Sequence, residues 1–159
     1  MIKYLKKIDD FLDTPRKLTS CILSPALDLS IRIYMAQIFF VSGQLKLNNY
    51  LNDDWGSTLF LFQEIHPVPG ISAEYAAIGA TAGELILPIL LVLGLFGRFA
   101  AAGLIVMTMV IQFAVPADYG LRSDHHYLWM MLLAVPLING PGLISLDALI
   151  RKFLNKSNA

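Results

Sequence analysis

Residues Ser72–Val115 read SAEYAAIGATAGELILPILLVLGLFGRFAAAGLIVMTMVIQFAV, and this stretch decides the fold. Apart from a short break at Gly94–Arg98 it is apolar, and it is too long for one helix of a small soluble domain. Its two parts, Ala73–Phe96 and Phe99–Val115, are each long enough to cross the ~30 Å hydrocarbon core of a bilayer. The tight break makes them an antiparallel hairpin. Deep inside the first part, past Glu74 at its start, sits a carboxylate, Glu84, with no base near it in sequence. A lone acid at mid-membrane depth costs about 2.5–3.5 kcal/mol on insertion scales, so something must offset it. Pro88, four residues on, removes a donor for the Glu84 carbonyl and loosens the helix there.

The flanking sequence extends the pattern. Ala26–Leu47 is a further span, apolar except for Asp28, Arg32, Gln37, Gln44 and Lys46. Arg32, Gly43 and Lys46 share one stripe of that helix. The stripe faces other helices, because cations are costly in hydrocarbon; snorkelling to the interface is a second reading for Lys46. Asp124–Gly140, opening on His125-His126 and carrying Trp129, is short but reads as a fourth span. The small face of the Glu84 helix, Ala76, Ala77, Gly79, Ala80 and Gly83, suits close helix packing. That packing is internal or, equally, between two copies in a homodimer.

Composition agrees. Charged residues are 15% of the chain, against about 25% in soluble domains, which places it in the membrane class. The net charge is zero, so nucleic acid is not an expected partner. A single cysteine, Cys21, excludes an internal disulfide or CxxC exchange chemistry. The opening residues lack the h-region and cleavage site of a signal peptide. Ile2, Leu5, Ile8 and Leu12 have helical spacing, with Lys3, Lys6 and Lys7 among them. They form an amphipathic helix on an anionic membrane surface or a frayed basic terminus. Thr14-Pro15 predicts a helix start. The loop at 48–71 carries Asp53, Asp54 and Glu64 and no Lys or Arg, and its Trp55, Phe60 and Phe62 lie back on the membrane. Ser145 predicts the cap of a short amphipathic C-terminal helix.

The expected fold is therefore an all-α membrane protein, a four-transmembrane-helix bundle. Residues 1–25 form an interfacial N-terminal segment, 26–146 the membrane domain and 147–159 a cytoplasmic amphipathic tail. The spans fall at about 26–47, 73–96, 99–115 and 124–140. The two tails hold five and three basic residues, and the hairpin turn holds Arg98. The positive-inside rule then puts both termini in the cytoplasm.

At about 1.5 Å per residue, Arg32 lies about 8 Å into the membrane, Glu84 about 18 Å and Lys46 about 30 Å. Glu84 thus sits between two cations of the neighbouring helix, with His126 near the depth of Lys46 and Trp129 one turn on. One reading is a polar pocket in which Glu84, Lys46 and His126 exchange protons or anchor a ligand. The other is a structural ion pair, or a protonated Glu84, that holds the bundle in register. His66 and His125 read as interfacial polar residues. No bound metal is expected, because adjacent histidines do not share a helix face and no other ligand spacing occurs.

These residues, in order, carry a resemblance. Arg32, Ser42-Gly43 and Lys46 are followed by Trp55-x-x-Thr58 and Glu64 before Val68-Pro69. Then come Glu84 with Leu85–Pro88, LLVLGLFGR ending at Arg98, Val110–Gln112, His126-x-x-Trp129 and Gly140–Asp147. Over about Leu29–Leu149 the chain resembles the DoxX family of small four-span bacterial membrane proteins. It departs at Ile65, where an aromatic usually follows the loop acid. The resemblance implies an inner-membrane accessory subunit of a redox system. Some relatives look like membrane subunits of a thiosulfate:quinone type of oxidoreductase, and others are tied to oxidative-stress or thiol-handling complexes. The subgroup with VPG-like loops resembles proteins encoded beside an iron enzyme that modifies metal-binding peptides. A quinone is the implied cofactor, and a redox or metal-stress protein the implied partner. Arg32, Gly43, Glu64 and Trp129 join the expected ligand-binding set. The alternative class is a non-enzymatic anchor or small-solute transporter.

Overall fold

The computed structural model describes residues 2–115, 120 and 122–157, and among these every regular element is helical. The elements are α1 (Ile2–Leu18), α2 (Ser24–Leu51), α3 (Trp55–Phe60), α4 (Ala73–Leu93), α5 (Gly97–Met109), α6 (Asp124–Asn139) and α7 (Leu146–Ser157). Wide π-type turns at Thr19–Leu23, Leu61–Ile65 and Val110–Ala114 follow α1, α3 and α5. Of the apolar residues expected to share a stripe near the N-terminus, the side chains of Ile2, Leu5 and Ile8 lie outside those described.

Helices α2, α4, α5 and α6 pack in a ring, α2 on α4, α4 on α5, α5 on α6 and α6 back on α2. Met35, Phe39, Leu91, Ala100, Ala101, Leu104 and Leu133 form the core between them. The distribution of polarity is that of a membrane protein. Val41, Ile86, Phe99, Val106 and Ile138 point outward and are exposed, while Arg32, Lys46, Glu84, Gln112 and His126 are buried. In water that arrangement would be unfavourable on both counts; in lipid both halves are expected.

Three helical stretches are long and apolar enough to cross a bilayer: Phe11–Leu51, Ala73–Leu93 and Gly97–Ala114. The helix start predicted at Thr14-Pro15 does not occur; α1 runs through Pro15. Phe11–Leu51 is 41 residues of continuous helix, about 60 Å, roughly twice the hydrocarbon core. Part of it must therefore stand outside the membrane. The fourth expected span is α6, which has 16 residues and a length of about 24 Å. It starts where Ser123 Oγ accepts the His125 N–H (3.3 Å).

The α4–α5 turn is tighter than predicted. Helix α4 ends at Leu93, because Gly94 takes a left-handed conformation (φ 63°) and closes a Schellman-type end. The Leu95 N–H donates to Leu90 O (3.1 Å) and the Gly94 N–H to Leu91 O (3.2 Å). Helix α5 then starts at Gly97, and Phe96 is held at φ 49°, a strained position for a residue with a Cβ. Asp147 at the start of α7 holds this turn. Its carboxylate accepts the Phe96 and Gly97 N–H groups (3.1 and 3.2 Å), and its own N–H donates to Gly94 O (3.1 Å). A carboxylate on the first N–H groups of a helix also meets the positive end of its dipole. Asp147→Ala should therefore destabilise the protein by about 1–2 kcal/mol, the upper range for loss of a helix cap. Thermal unfolding in mild detergent reads this, and an unchanged melting temperature would remove Asp147 from this role. Ser145 caps α7 as expected, its Oγ accepting the Ala148 N–H (3.1 Å).

Candidate functional site

Ser42, Gly43 and Lys46 lie on consecutive turns of α2 where it crosses α4. A Cβ on Gly43 would stand 2.9 Å from the backbone carbon of Glu84. Only glycine lets the helices approach this closely, so Gly43 sets their separation rather than lining a void. Lys46 then spans the gap. Its Nζ donates to Glu84 Oε2 (2.6 Å) and to Ser42 Oγ (2.8 Å). Both charged side chains are buried, each 9% exposed, so the pair is largely shielded from solvent. This is the partner that Glu84 required.

The pair forms part of the wall of a cavity of about 390 Å³. Apolar side chains dominate the rest, among them Phe62, Tyr75, Val106 and Met107. Beside the pair and Ser42, His66 is a further polar group. It follows the π-type turn after α3, and its N–H donates to Leu61 O (2.6 Å). Pro67 disfavours the helical conformation at His66, whose φ is −124°. The ring stands 6.3 Å from that of Phe62, centroid to centroid. Its Nδ1 is buried and has no hydrogen-bond partner among the described residues. Burial, and secondarily the positive charge of Lys46, push the imidazole pKa below 6.5. At neutral pH the ring is uncharged, with one nitrogen donating and the other accepting.

The expected constellation is thus divided. Lys46 and Glu84 meet, and Gly43 is packed behind them. His126 lies elsewhere, buried, with Nδ1 2.7 Å from Gln112 Oε1. That oxygen also accepts the Ser123 N–H (3.1 Å), so His126 Nδ1 is the donor. Trp129 packs edge-on to His126 and Phe39, with centroids 5.1 and 5.9 Å away. Glu64 is exposed. Arg32 is fully buried at the far end of α4, where it binds Asp28, the Leu91 and Val92 carbonyls and Ile144 O. None of His126, Trp129, Glu64 and Arg32 lines the cavity. His66, read from sequence as interfacial, does. The following proline marks this histidine as held out of helix, but nothing in the sequence brings it over the Glu84 helix.

This arrangement is a greasy recess with one charged pair and one neutral imidazole. It suits a mostly apolar molecule with a small polar head. The DoxX family profile matches residues 27–117, more than half of the chain. The chain belongs to the DoxX family. The DoxX match takes in Lys46, His66 and Glu84, and ends before α6. The chain is also 32% identical over 131 residues to an uncharacterized protein of Haemophilus influenzae, an alignment covering 78% of this chain and 83% of the relative. No solved structure matches it significantly. DoxX membership, with three helices long and apolar enough to cross a bilayer, makes this a helical membrane protein.

Proposed function

We propose that this DoxX protein is an accessory membrane subunit of a redox system in the bacterial inner membrane, and that it binds a quinone in the recess beside Lys46 and Glu84. The observation that carries this reading is the buried Lys46–Glu84 pair on the wall of an apolar cavity of about 390 Å³. A quinone head group is uncharged and apolar except for its oxygens. It would be held by the walls and hydrogen-bonded at the pair. Reduction of a quinone to a quinol takes two electrons and two protons. Glu84 and Lys46 can pass protons to a bound oxygen. The single cysteine, Cys21, makes no internal dithiol, so the electrons would come from a redox partner protein.

In this reading α6 is the fourth crossing, tilted little and completed by the residues that flank it. Both termini are cytoplasmic, which places Arg16, Lys17, Arg151, Lys152 and Lys156 on the cytoplasmic face. A homodimer is compatible with the exposed apolar flanks.

The test is organic extraction of the protein purified in mild detergent, with mass spectrometry for quinones, wild type beside Glu84→Gln. The expected result is about one quinone per chain in the wild type and a loss of at least tenfold in the variant. No quinone in either preparation would move the protein to the anchor or transporter class. Helix α7, which exposes Phe153 and Leu154 beside Arg151 and Lys152, would then be the docking element to pursue.

A further inference from the structure

The small residues of α4 do not all serve helix packing. Gly83 packs on Met107, where an added Cβ would stand 3.1 Å from the sulfur. Ala77 is completely buried. Gly79 differs: it is exposed, it lines the cavity, and a Cβ added there would meet nothing within 4 Å. Ala76 and Ala80 line the same space. The small side chains at 76, 79 and 80 therefore leave a void between α4 and α5. Gly79 lies about 9 Å along α4 from its first residue, inside the apolar stretch rather than at its aqueous end. Val106 on α5 and Tyr75 on α4 flank the opening, and both are more than half exposed on the outer face of the bundle. A mouth at this depth, rimmed by outward-facing apolar side chains, faces lipid.

Inside, two polar features border the same space. One is the Lys46–Glu84 pair; the other is His66. Among the described residues, His66 Nδ1 is the one buried side-chain polar atom without a partner. Such atoms are rare in native proteins and call for an explanation. A ligand oxygen supplies the missing bond directly.

We propose that the cavity is loaded sideways from the bilayer through the gap at Gly79, by an amphiphile whose head carries two hydrogen-bonding oxygens, one set on the Lys46–Glu84 pair and the other on Nδ1 of His66. In taking a quinone as the natural occupant, this rests on the function proposed above. It adds the route of entry and the second head-group contact. His66 is then a ligand-binding residue, and Gly79 keeps the door open because it has no side chain.

The test uses the full-length protein in vesicles of phosphatidylethanolamine and phosphatidylglycerol. Two probes are added separately: ubiquinone-2, and monoolein, whose glycerol head carries two free hydroxyls. Bound probe per protein is read by mass spectrometry after re-extraction in mild detergent. Gly79→Leu and Val106→Trp plug the mouth from opposite walls, and His66→Phe removes the second contact while keeping an aromatic ring. Leucine is a good helix former and position 79 has room for it, so the plug should fold. Monodisperse elution and unchanged helical circular dichroism check this, and the Val106→Trp plug stands if Gly79→Leu fails that check.

The expected result is a tenfold or greater loss of ubiquinone-2 from each plug and from His66→Phe, with Gly79→Ala close to wild type. If Glu84→Gln loses ubiquinone-2 while both plugs and His66→Phe retain it, the quinone reading stands and the lateral site is overturned. If the wild type binds monoolein but not ubiquinone-2, and the plugs and His66→Phe exclude monoolein, the quinone reading falls and the lateral site stands. Loss in the plugs with full binding in His66→Phe would overturn the second contact. Failure of the wild type to bind either probe overturns the whole proposal.

Discussion

Glu84→Leu, made alone, should destabilise the protein by about 3–5 kcal/mol, and adding Lys46→Met should restore most of that loss. The single change leaves the Lys46 ammonium enclosed against α4 with Ser42 Oγ as its remaining acceptor among the described residues. A buried ion deprived of its counter-ion loses the attraction that offset its desolvation. The double change removes both ions and fills much of the same volume with apolar atoms, which cores often accept without penalty. Unfolding in mild detergent, run as a double-mutant cycle, gives the coupling directly. A coupling of about 0.6 kcal/mol, the average for interhelical hydrogen bonds measured in one membrane protein, would reduce the pair to an ordinary polar contact.

The same double variant separates structure from function. If it is stable and yet extracts without quinone, the ions are needed for binding and not for the bundle. If it is stable and keeps its quinone, the pair is a register device between α2 and α4 and the proposed function loses its main support. Gly43 makes this sharp, because the helices are already in contact at that point.

Much of this was open to reading in the sequence. The long apolar runs and the scarcity of charge gave the helical membrane class, and Glu84 demanded a cation that α2 could offer. The choice between its two cations was also available, though it needed side-chain direction and not depth alone. On a helix the Cα–Cβ bonds tilt toward the N-terminus. Lys46 therefore leans back along α2 toward Ser42 and Glu84, and Arg32 leans the same way toward Asp28, away from Glu84. Depth alone made them look equivalent. His66 was harder. Its position depends on how the 52–72 segment folds back over α2 and α4, which involves the Asn49–Thr58 hydrogen bond (3.1 Å) and the π-type turn at Leu61–Ile65. No periodicity in that segment encodes the return. The void beside Gly79 was not legible either, since a run of small residues reads the same whether a neighbour helix closes on it or not. The continuity of α1 into α2 was missed because a proline after a threonine normally opens a helix, and here Pro15 sits within one.

Arg32→Met should be the most damaging single substitution outside the cavity, with a loss of about 3–5 kcal/mol. At roughly 2–4 °C per kcal/mol for a chain of this size, the melting temperature should fall by about 6–20 °C. The guanidinium is completely buried and makes four hydrogen bonds. Its Nε donates to Asp28 Oδ2 (3.1 Å), Nη1 to Leu91 O (3.2 Å) and Val92 O (3.0 Å), and Nη2 to Ile144 O (2.6 Å). The α4 carbonyls belong to its last turn, where helical partners run out and the dipole is negative. One side chain thus joins α2, the end of α4 and the segment leading into α7. Methionine would leave the mostly buried Asp28 carboxylate and the Val92 and Ile144 carbonyls without this donor, and Leu91 O with the Gly94 N–H alone. Arg32→Lys should rescue only in part, because an ammonium is a point charge and cannot reproduce a planar fork aimed at four oxygens. Lysine also decides the role of the site. In the fraction of Arg32→Lys that folds, bound quinone should match the wild type, since Arg32 does not line the cavity. A variant with wild-type stability and no quinone would return Arg32 to the ligand-binding set in which its place in the sequence had put it.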